Sequence, residues 1–339
     1  MTDDAEQPPL RFGVLGCADI AVRRTIPAIL AAPTARLVAL ASRTPGKAEH
    51  YADHFGGVVA CDYHDLLRRD DIDAVYVPLP TGLHAEWVEA ALVAGKHVLA
   101  EKPLTTCHPD TLALAALAGR LGLTLQENLT AARHRLHAAV SELVAAGEIG
   151  ELRGIEACFG IPPLPATDVR YASDLGGGAL LDVGVYPLYA ATRFLGAGLT
   201  VAGAVLKTDP VRGVDVAGHA LLCSPSGPAA HVTFGFEHAY RCSYRLWGSE
   251  GVVSVDRAYT PPPEFSPVIR LARGDHGREV VVPAEDQFLT TISEFVAQTR
   301  NSQIQWYGES DFLEQARLVD DVRDRALVRA IKGRTCVTS

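Results

Sequence analysis

The chain has 339 residues, of which 48% are hydrophobic and 21% charged, and its 31 basic and 40 acidic side chains give a formal net charge of −9. This length suits two domains, and the composition is that of a globular protein with an ample core. The acidic balance argues against nucleic acid or an anionic membrane surface as a partner. No apolar stretch is long enough to span a bilayer, and the acidic segment Met1–Glu6 does not resemble a signal peptide.

Seven cysteines are scattered along the chain, and none forms a CxxC pair. We therefore expect reduced thiols in a cytoplasmic protein. His134 and His137 lie three positions apart, but no nearby carboxylate or cysteine completes a set of metal ligands. The sequence therefore predicts no metal site.

From about residue 10 to residue 128, short β-rich runs alternate with amphipathic helical runs such as His84–Ala94 and Pro109–Arg120. Such alternation predicts parallel strands joined by crossover helices, and Val/Leu/Ala-rich strands are typical of a sheet covered on both faces. We predict an N-terminal Rossmann dinucleotide-binding domain over residues 1–128. Its predicted strands are Arg11–Leu15, Leu37–Ala41, Ala74–Val77, Val98–Ala100 and Thr124–Gln126.

After Gly150 a predicted helix, Ala179–Leu195, is followed by a series of strand-like runs separated by turn signals. The runs are Val201–Lys207, Val216–Cys223, Ala230–Gly235, Arg241–Trp247, Gly251–Val255, Val268–Ala272 and Glu279–Val282. The series predicts a second domain, residues 129–339, with a mostly antiparallel sheet and not a second Rossmann unit. Two helices, about Asp286–Thr299 and Ser310–Ile331, are predicted to follow, and these C-terminal helices are candidates to pack back on the first domain.

The first strand leads into a degenerate form of the dinucleotide fingerprint. Gly16 takes the place of its first glycine, while Ala18 and Ala21 replace the second and third. The glycines of this motif allow a tight turn, close approach of the backbone to the pyrophosphate and close helix packing. The predicted cofactor loop comprises Gly16, Cys17, Ala18, Asp19, Ile20 and Ala21.

The second predicted strand runs into Ser42 and Arg43 without the carboxylate that would bind the ribose diol of NAD. A hydroxyl and a guanidinium suit a 2′-phosphate instead, so we predict NADP(H) as the cofactor. The alternative is that Arg43 stacks on the adenine without discriminating between the two cofactors.

Glu101, Lys102 and Pro103 follow a buried strand, at the sheet edge where doubly wound folds bind ligands. Proline removes a backbone donor and favours a fixed turn, and a lysine in a partly dry cleft can donate a proton. For the triplet alone, a solvated turn with an ion pair is an alternative interpretation.

A triple glycine, Gly176 to Gly178, precedes Asp182 and Tyr186. Glycines let a loop run close to a ligand, and residues four apart share one face of a helix. A carboxylate and a phenol on one face can bind a sugar and handle a proton. For this motif alone, an exposed helix pair is the alternative.

Together these motifs resemble the glucose-fructose oxidoreductase, inositol dehydrogenase and MocA superfamily over nearly the whole chain. The matching stretches are GVLGCADIA from Gly13, VYVPLPTGLHAEW from Val75, AGKHVLAEKPL from Ala94, Glu127-Asn128 and GGGALLDVGVYP from Gly176. The resemblance implies an N-terminal Rossmann domain and a C-terminal substrate-binding and oligomerisation domain with a large open-faced, mostly antiparallel sheet. It also implies a nicotinamide cofactor and sugar-like or cyclic polyol substrates.

The resemblance also implies roles for single residues. Lys102 matches the catalytic lysine of the family, and Asp182 matches the aspartate one turn before a second catalytic position. Many members have histidine at that second position, where this chain has Tyr186, which argues against inositol-type dehydrogenation. Within the superfamily the chain most resembles the nucleotide-sugar 3-ketoreductases of deoxysugar biosynthesis, which implies reduction of the C3 ketone of a dTDP-linked keto-6-deoxyhexose during antibiotic glycoside assembly.

We predict that Lys102 is the essential proton donor, that Tyr186 orients the sugar or donates in its place, and that Asp182 binds a sugar hydroxyl or holds Lys102. Further candidates for the cofactor are Leu79, Glu101 and Lys102 itself, with His84 expected near the nicotinamide and Arg170 near a phosphate. Further candidates for the substrate are Gly177 and two tyrosines, Tyr240 and Tyr259, which are predicted to stack on a nucleotide base. The alternatives are a satisfied helix histidine for His84 and a place in the core for each tyrosine.

Two other functions remain open: NADP-dependent oxidation of a free aldose or trans-dihydrodiol, and nucleotide binding without catalysis. The expected partner is a small nucleotide sugar, with neither nucleic acid nor membrane. Because an uncovered sheet face invites association, we also expect a homodimer or homotetramer through the open sheet face.

Overall fold

A computed structural model of the chain describes residues 7–44, 46–56, 58–301 and 309–330. The chain divides into two compact units. The described residues up to His134 and from Glu285 to Leu313 form the first unit, and those from Arg135 to Ala284 and from Glu314 onwards form the second. The first unit therefore includes a segment from late in the chain, and the domain boundary after residue 128 stays a prediction.

The elements are numbered in chain order through both units. The strands are β1 Leu10–Leu15, β2 Ala35–Ala41, β3 Val59–Cys61, β4 Ala74–Val77, β5 His97–Glu101, β6 Leu125–Asn128, β7 Leu152–Gly160, β8 Thr200–Asp209, β9 Val214–Cys223, β10 Ala229–Gly235, β11 Arg241–Gly248, β12 Val252–Asp256, β13 Val268–Arg273, β14 His276–Val281 and β15 Ala326–Ala330. The helices are α1 Ile26–Ala31, α2 Lys47–Phe55, α3 Tyr63–Arg68, α4 His84–Val93, α5 His108–Leu121, α6 Arg135–Ala145, α7 Val185–Leu195, α8 Gln287–Arg300 and α9 Glu309–Arg325.

The first unit contains a six-stranded parallel sheet in the order β3-β2-β1-β4-β5-β6. This is the strand order of a dinucleotide-binding Rossmann fold, in which ligands bind outside the carboxyl ends of the strands. The predicted fold is confirmed for this unit. β3 was not predicted, because a strand of three residues is too short to show an alternation of polar and apolar side chains.

Apolar side chains cover both faces of this sheet. One face packs in a cluster around Val75, Val98 and Trp87, and the other in a cluster around Phe12 and Tyr76. α8 contributes to the second cluster, where the ring centroids of Phe295 and Phe12 lie 5.7 Å apart. The first unit thus has a core on each side of its sheet, as its continuous apolar strands require.

The second unit contains a nine-stranded sheet in the order β14-β13-β12-β11-β7-β10-β9-β8-β15. Two neighbouring pairs, β7 with β10 and β8 with β15, are parallel, and the others are antiparallel. The predicted mostly antiparallel sheet is confirmed.

One detail of the second-unit prediction was wrong. The helix expected over Ser310–Ile331 ends at Arg325, and β15 follows it and pairs with edge strand β8. The helical stretch expected over Ala179–Leu195 is present and consists of a π-helical turn, Leu180–Gly184, followed by α7. The central strand β7 was not anticipated.

α7 packs against β7 and β10 on one face of the large sheet. Along β11 the side chains alternate between this face and the opposite one, where Trp247 is 66% exposed. Val252 and Ala272 pair in register beside Trp247 on the same opposite face. We call this opposite side the open face.

In the part of the chain that the structure describes, no helix has the length and apolar character to cross a membrane. The same residues contain no group of three or more His, Cys, Asp or Glu side chains arranged to hold a metal ion.

Candidate active site

The turn after β1 has a conformation that glycine favours. Gly16 has φ +119°, and its N–H donates to the carbonyl oxygen of Ala41 over 2.9 Å. A Cβ added here would lie 2.8 Å from Cδ2 of Leu79. Since L side chains rarely adopt this φ and there is no room for one, the glycine lets the chain turn tightly beside the end of β4.

The rest of the predicted cofactor loop divides into buried and exposed positions. Cys17 is buried, its Sγ lies 3.9 Å from the carbonyl oxygen of Ala41, and burial raises the pKa of its thiol. Ala21 is fully buried and opens a π-helical turn, Ala21–Thr25, that leads into α1. Asp19 is exposed and forms an ion pair with Arg23. Ala18 and Ile20, at the turn itself, are half-buried.

At the end of β2, the Oγ of Ser42 accepts a hydrogen bond from the N–H of Thr44 over 3.0 Å. Arg43 interacts with Tyr63, the first residue of α3. Burial raises the pKa of Tyr63, while the charge of Arg43 and a hydrogen bond from it oppose that rise. The hydroxyl of Tyr63 also lies 3.6 Å from the position of a Cβ built on Gly16. Sequence reasoning missed Tyr63, and only the Asp62 helix cap before it gave a signal.

A buried hydrogen-bond network holds the carboxyl end of β5. The Oε1 of Glu101 accepts from the hydroxyl of Tyr76 and from the Nδ2 of Asn128, each over 2.6 Å, and Thr25 donates to the Tyr76 hydroxyl over 3.0 Å. Burial first, and then the charge of Glu101, raises the pKa of Tyr76 well above its usual value. Glu101 is therefore fixed between three neighbouring strands, while its contact with a cofactor stays a prediction.

Lys102 follows directly and is half-buried. Its backbone N–H donates to Oε2 of Glu101 over 3.3 Å, and the N–H of Leu104 donates to Oε1 of Glu127 over 2.7 Å. The intervening Lys102–Pro103 peptide bond is cis. Two carboxylates thus fix the backbone on either side of the predicted catalytic lysine.

His84, the first residue of α4, is fully buried and joins two loops at this sheet edge. Its Nδ1 lies 3.0 Å from the carbonyl oxygen of Pro103 and 3.2 Å from that of Leu104, and its Nε2 lies 2.8 Å from that of Leu79. Burial lowers the pKa of the imidazole, although the carbonyl oxygens favour its charged form. A neutral imidazole donates from one nitrogen only. The structure therefore places His84 behind the Lys102 loop, and its predicted contact with the nicotinamide stays a prediction.

In the second unit, Asp182 belongs to an ion-pair group. The Nε of Arg170 donates to Oδ2 of Asp182 over 2.7 Å, and its Nη1 lies 3.1 Å from Oδ1 of Asp168. The charge of Asp182 is the main cause of a raised pKa at Arg170. Arg170, predicted as a phosphate ligand, is thus engaged with two carboxylates, and the most direct role that this geometry gives it is to orient Asp182.

In the glycine loop before Asp182, other atoms of the protein occupy the space that side chains at Gly177 and Gly178 would need. A Cβ on Gly177 would lie 2.6 Å from the carbonyl oxygen of Arg170, and one on Gly178, which has φ +123°, would lie 2.4 Å from Oδ1 of Asp215. The Oδ2 of Asp215 accepts from the N–H of Leu180 over 2.7 Å and so caps the π-helical turn. Sequence reasoning did not single out Asp215, because it lies 35 positions away on β9.

Tyr186, half-buried in the first turn of α7, lies in an aromatic cluster. Its ring centroid is 5.1 Å from that of Phe159 and 5.5 Å from that of Tyr259. Tyr259 is fully buried, so its ring has no exposed face to offer a base. Tyr240 is 47% exposed and touches Phe159 edge-on at 6.3 Å. Of the two tyrosines predicted to stack on a base, only Tyr240 has a ring open to solvent.

The predicted residues thus form two groups, one in each unit. The first unit brings together Gly16, Leu79, His84, Glu101 and Lys102 around the carboxyl ends of its strands. The second brings together Arg170, Gly177, Asp182 and Tyr186 at the start of α7. The roles of both groups stay predictions.

A Rossmann unit with a glycine turn after β1 and a held lysine after β5, followed by a unit with a large open-faced sheet, defines a nicotinamide-dependent oxidoreductase. Residues 10–129 match the model of the GFO/IDH/MocA oxidoreductase family with an NAD-binding Rossmann fold, and residues 137–254 match the GFO/IDH/MocA C-terminal domain. The chain belongs to this family, which confirms the resemblance seen in the sequence.

Two similar proteins come from Actinomadura kijaniata. The chain is 48% identical over 326 residues to a dTDP-3,4-didehydro-2,6-dideoxy-α-D-glucose 3-reductase, covering 96% of this chain and 98% of that protein. It also matches the crystal structure of KijD10, a 3-ketoreductase in complex with NADP and TDP-benzene, with a TM-score of 0.93 and 47% identity over 96% of this chain and all of that one.

A more distant relative has a different activity. The chain is 33% identical over 319 residues to D-xylose 1-dehydrogenase (NADP⁺) 2 of Haloferax volcanii, which covers 94% of this chain and 97% of that protein.

Proposed function

We propose that this protein is an NADPH-dependent 3-ketoreductase that reduces the C3 ketone of a dTDP-linked keto-6-deoxysugar in deoxysugar biosynthesis. The observation that carries the proposal is the 48% identity, along nearly the full length of both chains, to the dTDP-3,4-didehydro-2,6-dideoxy-α-D-glucose 3-reductase. The substrate assigned is the one in that name.

The first unit fits NADPH on two counts. At Gly16 a Cβ would clash with Leu79, so glycine permits the tight turn after β1 that a phosphate-binding loop needs. β2 leads into Ser42 and Arg43, so a hydroxyl and a guanidinium are available for a 2′-phosphate. The turn at Gly16–Ala21 would hold the pyrophosphate. When bound, NADPH supplies the hydride for the ketone carbon.

Lys102 is the proton donor in this proposal. An ammonium group both neutralises the developing alkoxide and gives it a proton, so its removal affects two contributions to the rate. The network at Glu101 and the bond from Leu104 to Glu127 keep the lysine's backbone in one position. Asp182, oriented by Arg170, binds a sugar hydroxyl, and Tyr186 orients the sugar ring.

The test is NADPH oxidation with the dTDP-3,4-diketo-2,6-dideoxyhexose made in situ by a 2,3-dehydratase. Parallel reactions contain NADP⁺ with xylose, glucose or a trans-dihydrodiol. We expect rapid, dTDP-dependent loss of nicotinamide absorbance and no reduction of NADP⁺ by free sugars. The absence of NADPH oxidation with the nucleotide sugar would overturn the proposal.

The second candidate is NADP⁺-dependent oxidation of a free aldose. It is supported by the 33% identity to the xylose dehydrogenase along nearly the whole chain. The same lysine and tyrosine would serve this reaction in reverse, so the parallel reactions above distinguish the two candidates by substrate alone.

We further propose that the enzyme assembles as a homodimer or homotetramer through the open face, where Trp247 is exposed beside Val252 and Ala272. Light scattering of the wild type and of a Trp247→Glu variant tests this, because a charge on a buried interface separates the subunits. We also expect the enzyme in the cytoplasm, where its six described cysteines, all of them free thiols, stay reduced.

A further inference from the structure

Arg257, directly after β12, adopts an unfavourable backbone conformation. Among the described residues it is the single non-glycine residue with positive φ, at +49°. The left-handed region is unfavourable for residues other than glycine and asparagine, and such positions cluster at ligand-binding sites. The side chain of Arg257 is exposed, so packing in a core does not account for this backbone conformation.

The guanidinium of Arg257 lies over two aromatic rings. Its Cζ lies 5.8 Å from the ring centroid of Tyr240 and 5.6 Å from that of Phe265. Within the described part of the chain, Arg257 forms no ion pair with a carboxylate. Arg270, on the neighbouring strand β13, is also exposed but pairs with both Asp256 and Glu279. Arg257 is therefore an oriented cation whose charge is available to an anion.

Ring contacts connect Arg257 to the proposed reaction centre. The ring of Tyr186 packs on Phe159 at 5.1 Å, and Phe159 meets Tyr240 edge-on at 6.3 Å. A ligand with its sugar at Tyr186 that passes over Phe159 therefore reaches Tyr240 and Arg257 next. Along this surface the phenol of Tyr186 is followed by the apolar ring of Phe159. The exposed ring of Tyr240 and the cation of Arg257 come next.

We propose that Arg257 and Tyr240 form the subsite for the nucleoside diphosphate of the substrate. The guanidinium binds the diphosphate, for which its planar fork of N–H donors is suited. The exposed ring of Tyr240 stacks on the base. This subsite rests on the proposed function, since it requires a nucleotide-linked substrate. It distinguishes a nucleotide sugar from a free sugar, which has nothing to place there.

The experiment measures thymidine diphosphate binding by calorimetry to wild type, Arg257→Gly, Arg257→Lys, Tyr240→Ala and Tyr240→Phe, with Arg270→Ala as the matched control. Loss of charge-assisted hydrogen bonds should weaken binding roughly 10- to 100-fold in Arg257→Gly. The affinity of Arg257→Lys should lie between those of wild type and Arg257→Gly, because lysine keeps the charge but loses the planar set of N–H donors. Tyr240→Ala should bind more weakly than Tyr240→Phe, which keeps the stacking ring. Arg270→Ala should bind as wild type does.

Thermal unfolding separates binding from folding. Glycine tolerates positive φ, so Arg257→Gly should melt no lower than wild type while it binds the diphosphate more weakly. Equal diphosphate affinity in Arg257→Gly and wild type, or no diphosphate binding by wild type, overturns the subsite. If wild type binds the diphosphate with the expected Arg257 dependence but does not oxidise NADPH with the ketosugar, the subsite stands and the proposed reaction fails.

Discussion

The carboxyl edge of the parallel sheet and the start of α7 hold two of their functional side chains by different means. At β5, hydrogen bonds from Tyr76 and Asn128 hold the Glu101 carboxylate. At α7 the ring of Tyr186 packs against two other aromatic rings, although Asp182, one turn earlier, accepts a hydrogen bond. Hydrogen bonds weaken steeply with misalignment, whereas ring contacts tolerate small displacements. We therefore expect the Glu101 carboxylate to be held more rigidly than the ring of Tyr186, in a family whose named relatives act on different sugars.

The largest expected effect tests the two proposed proton-handling groups against each other. Lys102→Ala should lower kcat for ketosugar reduction roughly 10²- to 10⁴-fold, the usual contribution of a positioned acid. Tyr186→Phe keeps the ring and its packing and should lose little. Steady-state kinetics with NADPH and the nucleotide sugar measures both, and NADPH binding by fluorescence controls for the cofactor site. If Tyr186→Phe is the more damaged enzyme, the roles are reversed.

Removal of the acceptor in the β5 network should affect stability. Glu101→Ala leaves the Tyr76 hydroxyl and the Asn128 amide buried without their acceptor, which costs about 1–3 kcal/mol for each donor. Glu101→Gln keeps one oxygen in place and should lose much less. Urea unfolding of the cofactor-free proteins measures the difference. Equal stability of the two variants would show that the network does not hold the strand end.

A smaller effect is expected at the helix start in the second unit. Asp215→Ala removes the cap of Leu180 and should cost about 0.5–2 kcal/mol. Burial raises the pKa of Asp215, so the contribution of this group is greatest below the unfolded-state pKa and is lost as pH rises through the folded-state pKa. Asp215→Asn keeps the acceptor without the charge and should be at least as stable as wild type at neutral pH. A marked loss in that variant, measured by thermal unfolding, would contradict this account.

The smallest effect is a change in pH dependence at His84. Burial lowers its pKa in the folded protein, so the unfolded chain binds a proton that the folded protein resists. The contribution to stability is therefore present above an unfolded-state pKa of about 6.5 and declines as the pH falls below it. Urea unfolding between neutral pH and about one unit below that pKa should show a steeper decline for wild type than for His84→Asn. Parallel profiles would mean that the pKa of His84 is the same in the folded and the unfolded protein, which would contradict this account.

Much of the first unit could be predicted, because each buried parallel strand is an apolar run that needs no knowledge of its neighbours. β7 was missed because Gly154 and Cys158 interrupt its alternation, and its place depends on partners far along the chain. β15 continues a helical pattern without a break, and only pairing with the edge strand β8 makes it extended. Local signals do not contain such pairings.

The site divides in the same way. Lys102 and Tyr186 stand in motifs that can be read locally, so both were selected from the sequence. Tyr63, Tyr76 and Asp215 act through residues between 20 and 51 positions away, as in the bond from Thr25 to Tyr76, and nothing near them marks that role. Networks assembled from separate strands become visible only in three dimensions.

The position of α8 has a consequence for synthesis. The hydrophobic cluster around Phe12 is closed by Ile292, Phe295 and Val296 of α8, yet the last strand of that sheet, β6, ends at Asn128. The nascent first unit must therefore keep an apolar sheet face open until the whole intervening second-unit segment has been made. We expect a chain interrupted before Gln287 to be captured by chaperones or to aggregate, since exposed apolar surface during folding has that outcome.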